Sequence, residues 1–481
     1  MDEAKDRITT LGFTDDQRNA YNELISFIDS AYNENDFKRA LVGPAGTGKT
    51  YLVKAIIKNC HLSYSTIGLA APTHKAARVL SESIGLINVK INTLQSDLGL
   101  KLNYDNDNFD VNNPPFDPRG RIKIGQYQLY IVDEASMINR SLTTLLEKTC
   151  KTNKCKLIYI GDSHQLPPVN ELYSPALRGV KISSLKQIVR QEETNPVGYL
   201  LNLLRYDIEH RTFKFLEHIS RFKENFNEGN TQGYKVCSSR EFTELVTINF
   251  NDEELTRNVD YCKIIAYTNA VVSSWNKLVR GVIIKDAEKS IITKNDLILS
   301  YITIVNQFNE GIIFNSEDYI LQDVVNYTHP QYELKGFLCR FIAIHGGKTT
   351  TPLFVVDHTD KFTMAKYMKL SEQFINNAKS AGSKTRAQRW REYYAFKESC
   401  LLLANIITSN GTMLYPRNLD YGFALTSHKS QGSTFDTVFV DVNDIVYTKN
   451  GTPHGNAEQI NRLLYVACSR CKNKLYLRYG R

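Results

Sequence analysis

Short apolar runs recur through the first half of the chain, at Arg39–Val42, Thr66–Leu69, Leu129–Val132 and Leu157–Ile160. Runs of this length, bounded by turn formers, suit strands that are buried on both faces. Between them the apolar positions shift to helical spacing, as over Tyr51–Cys60 and Lys75–Ser83. Strands alternating with helices predict a parallel sheet covered on both sides. The stretch NYDNDNFDVNNPP (103–115) breaks the pattern with turn formers and two prolines, which predicts a protruding acidic loop or hairpin tip.

A second α/β pattern starts near Ser184 and includes CKIIAYTN (262–269). Residues 296–358 are β-rich, with turns at Asn309-Glu310-Gly311 and Gly346-Gly347. Residues 360–400 carry helical spacing that breaks around Ala381-Gly382-Ser383, and α/β character returns with ALTSHKSQG (424–432). The second α/β domain is therefore split by an insertion. A length of 481 residues agrees with several domains, since single cores stop growing at about 250–300 residues.

Composition narrows the class. Hydrophobic residues at 42% and charged residues at 23% are those of a globular protein. The chain has no apolar run of about 18 residues to cross a bilayer, so no membrane partner is expected. The opening MDEAKDRITT lacks an apolar h-region, so no secretory signal is expected and the location is cytoplasmic. Nine cysteines scattered from Cys60 to Cys471 suit a reducing compartment better than a disulfide framework. The pair Cys468 and Cys471 has CxxC spacing but no second pair nearby, so zinc is not expected, and the segment YVACSR (465–470) is expected instead to run from a strand into a helix.

The charge of +8, from 59 basic and 51 acidic residues, mildly favours a polyanionic partner. Residues 361–400 concentrate nine Lys/Arg against three Glu, interleaved with Phe362, Tyr367, Phe374, Trp390, Tyr393, Tyr394 and Phe396. Such a mixture suits stacked bases and phosphates, but an amphipathic helical hairpin with a solvated face is the stronger reading.

Chemistry enters with GPAGTGKT (43–50), a full G-x-x-x-x-G-K-[ST] motif between a strand and a helix. Glycines let such a loop curl until its N–H groups surround a phosphate at a helix N-terminus. Lys49 would neutralise β/γ-phosphate charge, and the Thr50 hydroxyl would coordinate Mg²⁺. The remaining loop positions, Gly43, Pro44, Ala45, Gly46, Thr47 and Gly48, would line the nucleotide. YIVDEAS (130–136) supplies the acidic partner at a strand end. Asp133 would hold Mg²⁺, and Glu134 would orient and deprotonate the attacking water. Neighbouring strand residues face opposite ways, so two separate roles fit better than a proton-sharing dyad.

In order, FTDDQRNAYN (13–22), the phosphate loop, APTHKAARVL (71–80), INTLQS (91–96), IVDEAS (131–136), IGDSHQLPPV (160–169), LKQIVRQ (185–191), IIAYTN (264–269), ALTSHKSQGSTFD (424–436) and LLYVACSR (463–470) resemble the motifs of superfamily-one helicases. The HKSQG and GDSHQLPPV forms resemble the RecD/Pif branch. The resemblance implies an α/β fold of two RecA-like P-loop NTPase domains, with a pin insertion in the first and an SH3-like barrel plus helices in the second. It implies residues 1–96 and 128–183 for the first domain and 97–127 for the pin, with Phe109 or Phe116 as the wedge. The second domain is implied at 184–290 and 405–481, and the barrel with its helical extension at 291–404.

The resemblance also implies an ATP- and Mg²⁺-dependent DNA helicase moving 5′-to-3′ on single strands, in replication or recombination. Gln17 would read adenine, Gln165 would sense the γ-phosphate, Arg190 and Arg470 would be arginine fingers, and Gly432 would lie at the nucleotide. Thr73, His74, Thr93, Thr268, Asn269, Thr426, His428 and Lys429 would line the single-strand track. The implied partners are single-stranded DNA and single/double-strand junctions, with a single-strand binding protein or replisome component, and the implied state is a monomer. Two positions depart from the family pattern: Gln95 stands where relatives carry histidine, and Val189 stands where other branches carry an adenine-stacking aromatic.

A translocase that mainly displaces bound proteins, or an RNA helicase, would use the same motifs. A GTPase is disfavoured: Thr293-Lys294-Asn295-Asp296 imitates a guanine-selecting element, but DEAS stands where Asp-x-x-Gly is required.

Overall fold

A computed structural model describes residues 8–102, 116–189, 195–305, 311–407 and 413–480. The four expected strands are present as Lys38–Val42, Ile67–Ala71, Leu129–Val132 and Lys156–Gly161. With Lys90–Thr93 and Lys181–Ser184 they form one six-stranded sheet. Its order runs Lys90–Thr93, Ile67–Ala71, Leu129–Val132, Lys156–Gly161, Lys38–Val42, Lys181–Ser184, and each neighbouring pair is parallel.

The runs are apolar at successive positions because both faces are buried. Leu41, Leu69, Ile131 and Ile158 pack with Leu24, Ile56 and Leu80 on one face. Ala40, Val42, Tyr130 and Tyr159 pack with Leu146 and Cys150 on the other. Helix Asp15–Asp29 opens with a capping box: the Gln17 N–H donates to the Thr14 hydroxyl and the Thr14 N–H to Gln17 Oε1. At its other end the buried Lys156 ammonium donates to the carbonyls of Phe27 (2.6 Å) and Ile28 (3.0 Å). A cation there satisfies orphan carbonyls and opposes the negative end of the helix dipole.

A second six-stranded sheet runs Ala424–Thr426, Cys262–Ala266, Phe435–Asp441, Cys471–Arg478, Gly233–Cys237, Glu224–Phe226. Its central pairs are parallel and the Glu224–Phe226 edge is antiparallel. This architecture bears out the tandem α/β expectation. Both sheets belong to one compact unit made of Met1–Leu100, Gly120–Val272 and Leu425–Arg481.

One reading needs correction: YVACSR was expected to run from a strand into a helix, and it does the reverse. Helix Ala457–Cys468 ends and strand Cys471–Arg478 begins, so Arg470 lies in the turn between them. The apolar residues of LLYVAC recur too closely for helix and strand to be told apart by periodicity alone.

The other compact unit comprises Lys101–Arg119 and Ser273–Ala424. Its five-stranded antiparallel sheet runs Leu353–Val356, Lys335–Ala343, Asp318–Thr328, Leu297–Ser300, Leu419–Tyr421. Helices Lys361–Ser380 and Ser383–Ser399 form the expected hairpin, broken at Ala381-Gly382. Tyr367, Trp390, Tyr393 and Phe396 are fully buried in it, so these aromatics are core rather than a stacking platform, while Phe362 is 89% exposed. A short strand pair joins Leu100–Leu102 to Phe116–Pro118, and Phe116 is 56% exposed. Phe109 lies outside the described residues.

The tetrad that imitates a guanine-binding element is explained by packing. Asp296 is fully buried and takes a bidentate contact from Arg280, with Nε at 2.7 Å and Nη2 at 3.0 Å. Arg280 also donates to Thr293 Oγ1 (2.9 Å) and to the carbonyls of Ala287 (2.7 Å) and Ser290 (2.9 Å). The tetrad is a turn that satisfies a buried guanidinium. Asp296→Ala would strand that charge and is expected to cost about 3–5 kcal/mol of stability, measured as a lowered denaturant midpoint.

Candidate functional site

Strands Leu129–Val132, Lys156–Gly161 and Lys38–Val42 lie side by side and parallel, so their carboxyl ends open on one edge of the sheet. This is the edge where open α/β sheets take ligands. The three strands run into Asp133 and Glu134, into Asp162–Gln165, and into Gly43–Thr50.

In the phosphate loop Gly46 and Gly48 take left-handed φ values of 84° and 79°, which curl the backbone. Gly48 is the N-cap of helix Lys49–Asn59 and brings no side-chain cap, so the first N–H groups of the helix stay available to an anion. Lys49 Nζ donates to the carbonyls of Gly43 (2.6 Å) and Pro44 (2.8 Å), and Thr47 Oγ1 donates to Pro44 O (2.9 Å). Thr50 follows in the first helical turn, and Ala45 lies half-buried in the loop.

Gln17, 2% exposed, donates from Nε2 to the Thr47 carbonyl (2.9 Å) while its Oε1 closes the capping box. A Cβ on Gly48 would sit 2.6 Å from Gln17 Nε2, so the amide rests directly on the loop. Gln17 thus braces the phosphate loop.

Strand alternation stops at Val132. Glu134 adopts the left-handed region (φ 49°, ψ 39°), a costly conformation for a side-chain-bearing residue that concentrates at functional sites. Its N–H donates to Asp133 Oδ1 (2.8 Å). Burial and then the Glu134 charge push the Asp133 carboxyl well up, against the pull of the Glu134 N–H and Lys49. Asp162 behaves differently. Burial raises it, but bonds from His164 and Tyr465 and the charge of Lys49 outweigh that and bring it below the usual carboxylate value.

Gln165 is buried, and its Oε1 accepts from Gln431 Nε2 (3.4 Å) within HKSQG. Gly432 (φ 73°) packs where an added Cβ would lie 3.5 Å from Ala76. Arg470 is 5% exposed and donates to Val466 O (3.1 Å), Ser433 O (3.2 Å) and Ser469 Oγ (2.8 Å), all uncharged acceptors. Arg190 lies outside the described residues. The segment before it reaches the glycine-rich loop: the Val189 N–H donates to Gly46 O (3.0 Å), and those of Lys186 and Gln187 donate to the Asp16 carboxylate.

The residues expected on the single-strand track fall mostly at helix starts. Thr73 caps helix His74–Ile84 by accepting from Ala76 N (3.2 Å), and Thr93, which is buried, caps Leu94–Asp97. Thr268 accepts from Val271 N (3.3 Å) and donates to Asp444 Oδ1 (2.7 Å); Asn269, exposed, opens helix Asn269–Ile283. Thr426 Oγ1 accepts from Lys429 N (3.2 Å). His74 and His428 are half-buried, and burial lowers both imidazole pKa values. Sequence reasoning did not single out Asp16, Asp444, Gln431, Arg462 or Tyr465. Asp16, Gln431 and Tyr465 were within reach, inside quoted motifs; Asp444 and Arg462 carry no local signal.

Fold and site together define a P-loop NTPase of tandem RecA-like architecture. A family model described as "AAA domain" matches residues 14–225, and one described as "UvrD-like helicase C-terminal domain" matches residues 421–478. An uncharacterized protein of Acanthamoeba polyphaga mimivirus, R530, is 24% identical over 96% of this chain and 99% of its own length. The ATP-dependent DNA helicase Dda of Enterobacteria phage T4 is 34% identical over 32% of this chain and 33% of its own length. The ATP-dependent RecD2 DNA helicase of Deinococcus radiodurans is 32% identical over 33% of this chain and 20% of its own. The chain is thus similar to ATP-dependent DNA helicases over part of its length, and to a UvrD-like helicase C-terminal domain at residues 421–478.

Cys468 is fully buried at the end of helix Ala457–Cys468, where burial pushes its thiol up, and Cys471 is half-buried on the following strand. The double substitution Cys468→Ala with Cys471→Ser is expected to change ATP turnover by less than about twofold while lowering stability by about 1 kcal/mol, measured by steady-state hydrolysis and thermal melting.

Proposed function

We propose that this chain is an ATP-dependent DNA helicase that moves 5′-to-3′ along single-stranded DNA and opens single/double-strand junctions. The observation that carries the reading is the convergence of the phosphate loop, the Asp133–Glu134 pair and the Gln165 loop at adjoining strand ends. The names of Dda and RecD2, both ATP-dependent DNA helicases, support it.

ATP binds with its phosphates in the Gly43–Thr50 cradle, where Lys49 exchanges its two loop carbonyls for phosphate oxygens. Gln17 holds the loop and offers its free N–H to adenine. The Thr50 hydroxyl and Asp133 carboxylate would hold Mg²⁺. They fit that ion because a carboxyl whose pKa is raised by burial and a neighbouring carboxylate gains from a hard cation, and few protein oxygens suit an ion that keeps waters and phosphates as ligands. When bound, Mg²⁺ supplies neutralisation of phosphate charge. Glu134 orients the attacking water and takes its proton. Arg470 and Arg190 stabilise charge that develops on the γ-phosphoryl group, Gln165 links that group to the HKSQG loop through Gln431, and Gly432 allows the close approach.

Thr73, His74, Thr93, Thr268, Asn269, Thr426, His428 and Lys429 form the strand track, either touching phosphates or aiming the helix N-termini they cap. The proposed division is RecA-like domains at 1–96 with 128–183 and at 184–290 with 405–481, a pin at 97–127, and an SH3-like barrel with helices at 291–404. We further propose a cytoplasmic monomer that works with a single-strand binding protein or replisome component. Among the described residues no helix is long and apolar enough to cross a membrane.

Lys49→Ala is expected to reduce ATP hydrolysis to background while retaining single-strand binding; unaltered turnover would remove the nucleotide assignment. Arg470→Ala is expected to lower kcat by about 10³-fold with a much smaller change in the ATP KM, read in steady-state assays. Strand displacement on DNA or RNA duplexes tailed at 5′ or 3′ tests the rest: release of the 5′-tailed DNA duplex alone is expected, and release from neither DNA tail would refute helicase activity.

A further inference from the structure

His164, in the loop that carries Gln165, lies between two carboxylates. Its Nδ1 is 3.2 Å from Asp162 Oδ1 and its Nε2 is 2.9 Å from Glu209 Oε1, which belongs to helix Pro196–His210. Ionised carboxylates only accept, whereas a neutral imidazole offers a single N–H. Both contacts are satisfied together only by the doubly protonated ring.

The rest of the loop is tied to the same side. The Tyr465 hydroxyl donates to Asp162 Oδ2 (2.7 Å), and the His164 N–H donates to Asp162 Oδ1 (2.9 Å). Arg462 donates to the carbonyls of Ser163 (2.6 Å) and Gln165 (2.9 Å) and is itself held by Glu458. Tyr465 and Arg462 lie on helix Ala457–Cys468, which packs on helix Pro196–His210.

We propose that His164, as the imidazolium, is a positioning residue that fixes the Gln165 loop against helices Pro196–His210 and Ala457–Cys468. The inference rests on the helicase reading only for the consequence, the setting of Gln165; the bracket itself is geometry. The titratable and charged groups that face the ring are Asp162 from its own loop, Glu209 from one helix, and Tyr465 from the other, whose ring is edge-on at 5.9 Å. Arg462 stands behind the loop on its carbonyls, and Arg205 lies over the far ring of Tyr465 at 6.0 Å.

Burial lowers the His164 pKa, but the bonds and charges of Asp162 and Glu209 outweigh it, so the pKa is raised above its ordinary value. A raised imidazole pKa means that the bracket is complete at low pH and is lost as pH rises through the folded value. Glu209 is 59% exposed at its side chain, so Glu209→Gln removes the charge without disturbing the core.

The test uses the full chain. Proton–carbon NMR of the His164 ring is expected to give a pKa above about 6.5 in the unaltered protein and about one unit lower in Glu209→Gln. Equal values in the two would overturn the bracket. The kcat of ATP hydrolysis, with and without single-stranded DNA, is expected to fall as pH rises through the measured value, and to fall earlier in Glu209→Gln. His164→Arg, which keeps its charge, is expected to hold kcat level across the range, whereas His164→Ala is expected to be level at about a tenth of the unaltered chain's low-pH kcat and to match it at high pH. Profiles identical in the unaltered chain and Glu209→Gln would overturn the positioning role. Turnover unmoved by any nucleic acid would instead refute the helicase reading and leave the NMR result and the basal profile to decide the bracket.

Discussion

The Lys49 ammonium governs the edge where the strands of the first sheet end. It sits under a curled loop whose carbonyls at Gly43 and Pro44 hold it in place, and its field reaches two buried carboxyls, Asp133 and Asp162. Asp133, beside a second carboxylate and with one backbone donor, is pushed up. Asp162, with donors from His164 and Tyr465, is brought down. The same cation therefore serves two sites in opposite protonation tendency, and the difference comes from hydrogen bonds to the charged form. Through Asp162 this influence extends to His164, Glu209 and Tyr465, and so to the helices that flank the second sheet.

Threonine has a second use across the first unit. Thr73, Thr93 and Thr268 each accept an N–H at the start of a helix, and Asp444 fixes Thr268 further by accepting from the N–H groups of Tyr267 and Thr268 (both 2.8 Å). A capped helix start is a rigid, positively polarised terminus. A motif threonine can therefore shape an anion track by setting the direction of a helix, even where its own hydroxyl is occupied. Direct contact and capping share one residue type, so sequence alone does not separate them.

In the second unit charge and aromaticity serve packing. Arg280 and Asp296 pair inside it, with the guanidinium bonded to two carbonyls and a threonine as well. Tyr367, Trp390, Tyr393 and Phe396 fill the space between two helices and the sheet, while the lysines and arginines of the same stretch lie mostly at the surface. The Thr-Lys-Asn-Asp tetrad and the basic-aromatic stretch each looked like ligand chemistry by composition, and burial assigns both to structure.

The sequence alone determined the elements whose pattern is local. Runs of apolar residues too short for helices marked the parallel strands, and glycines with Lys49 and Thr50 marked a phosphate loop, because spacing over eight residues fixes that geometry. Helices Lys361–Ser380 and Ser383–Ser399 were equally legible from periodicity and the break at Gly382. The direction of YVACSR was not legible, since its apolar run fits either element and only docking on the sheet places the helix first. Tertiary structure alone decided what each polar group faces: Gln17 on Thr47, Arg470 on neutral carbonyls, His164 between Asp162 and Glu209. Those partners lie up to tens of residues apart in the chain, and a hydrogen bond depends on distance and direction in space, which no local pattern encodes.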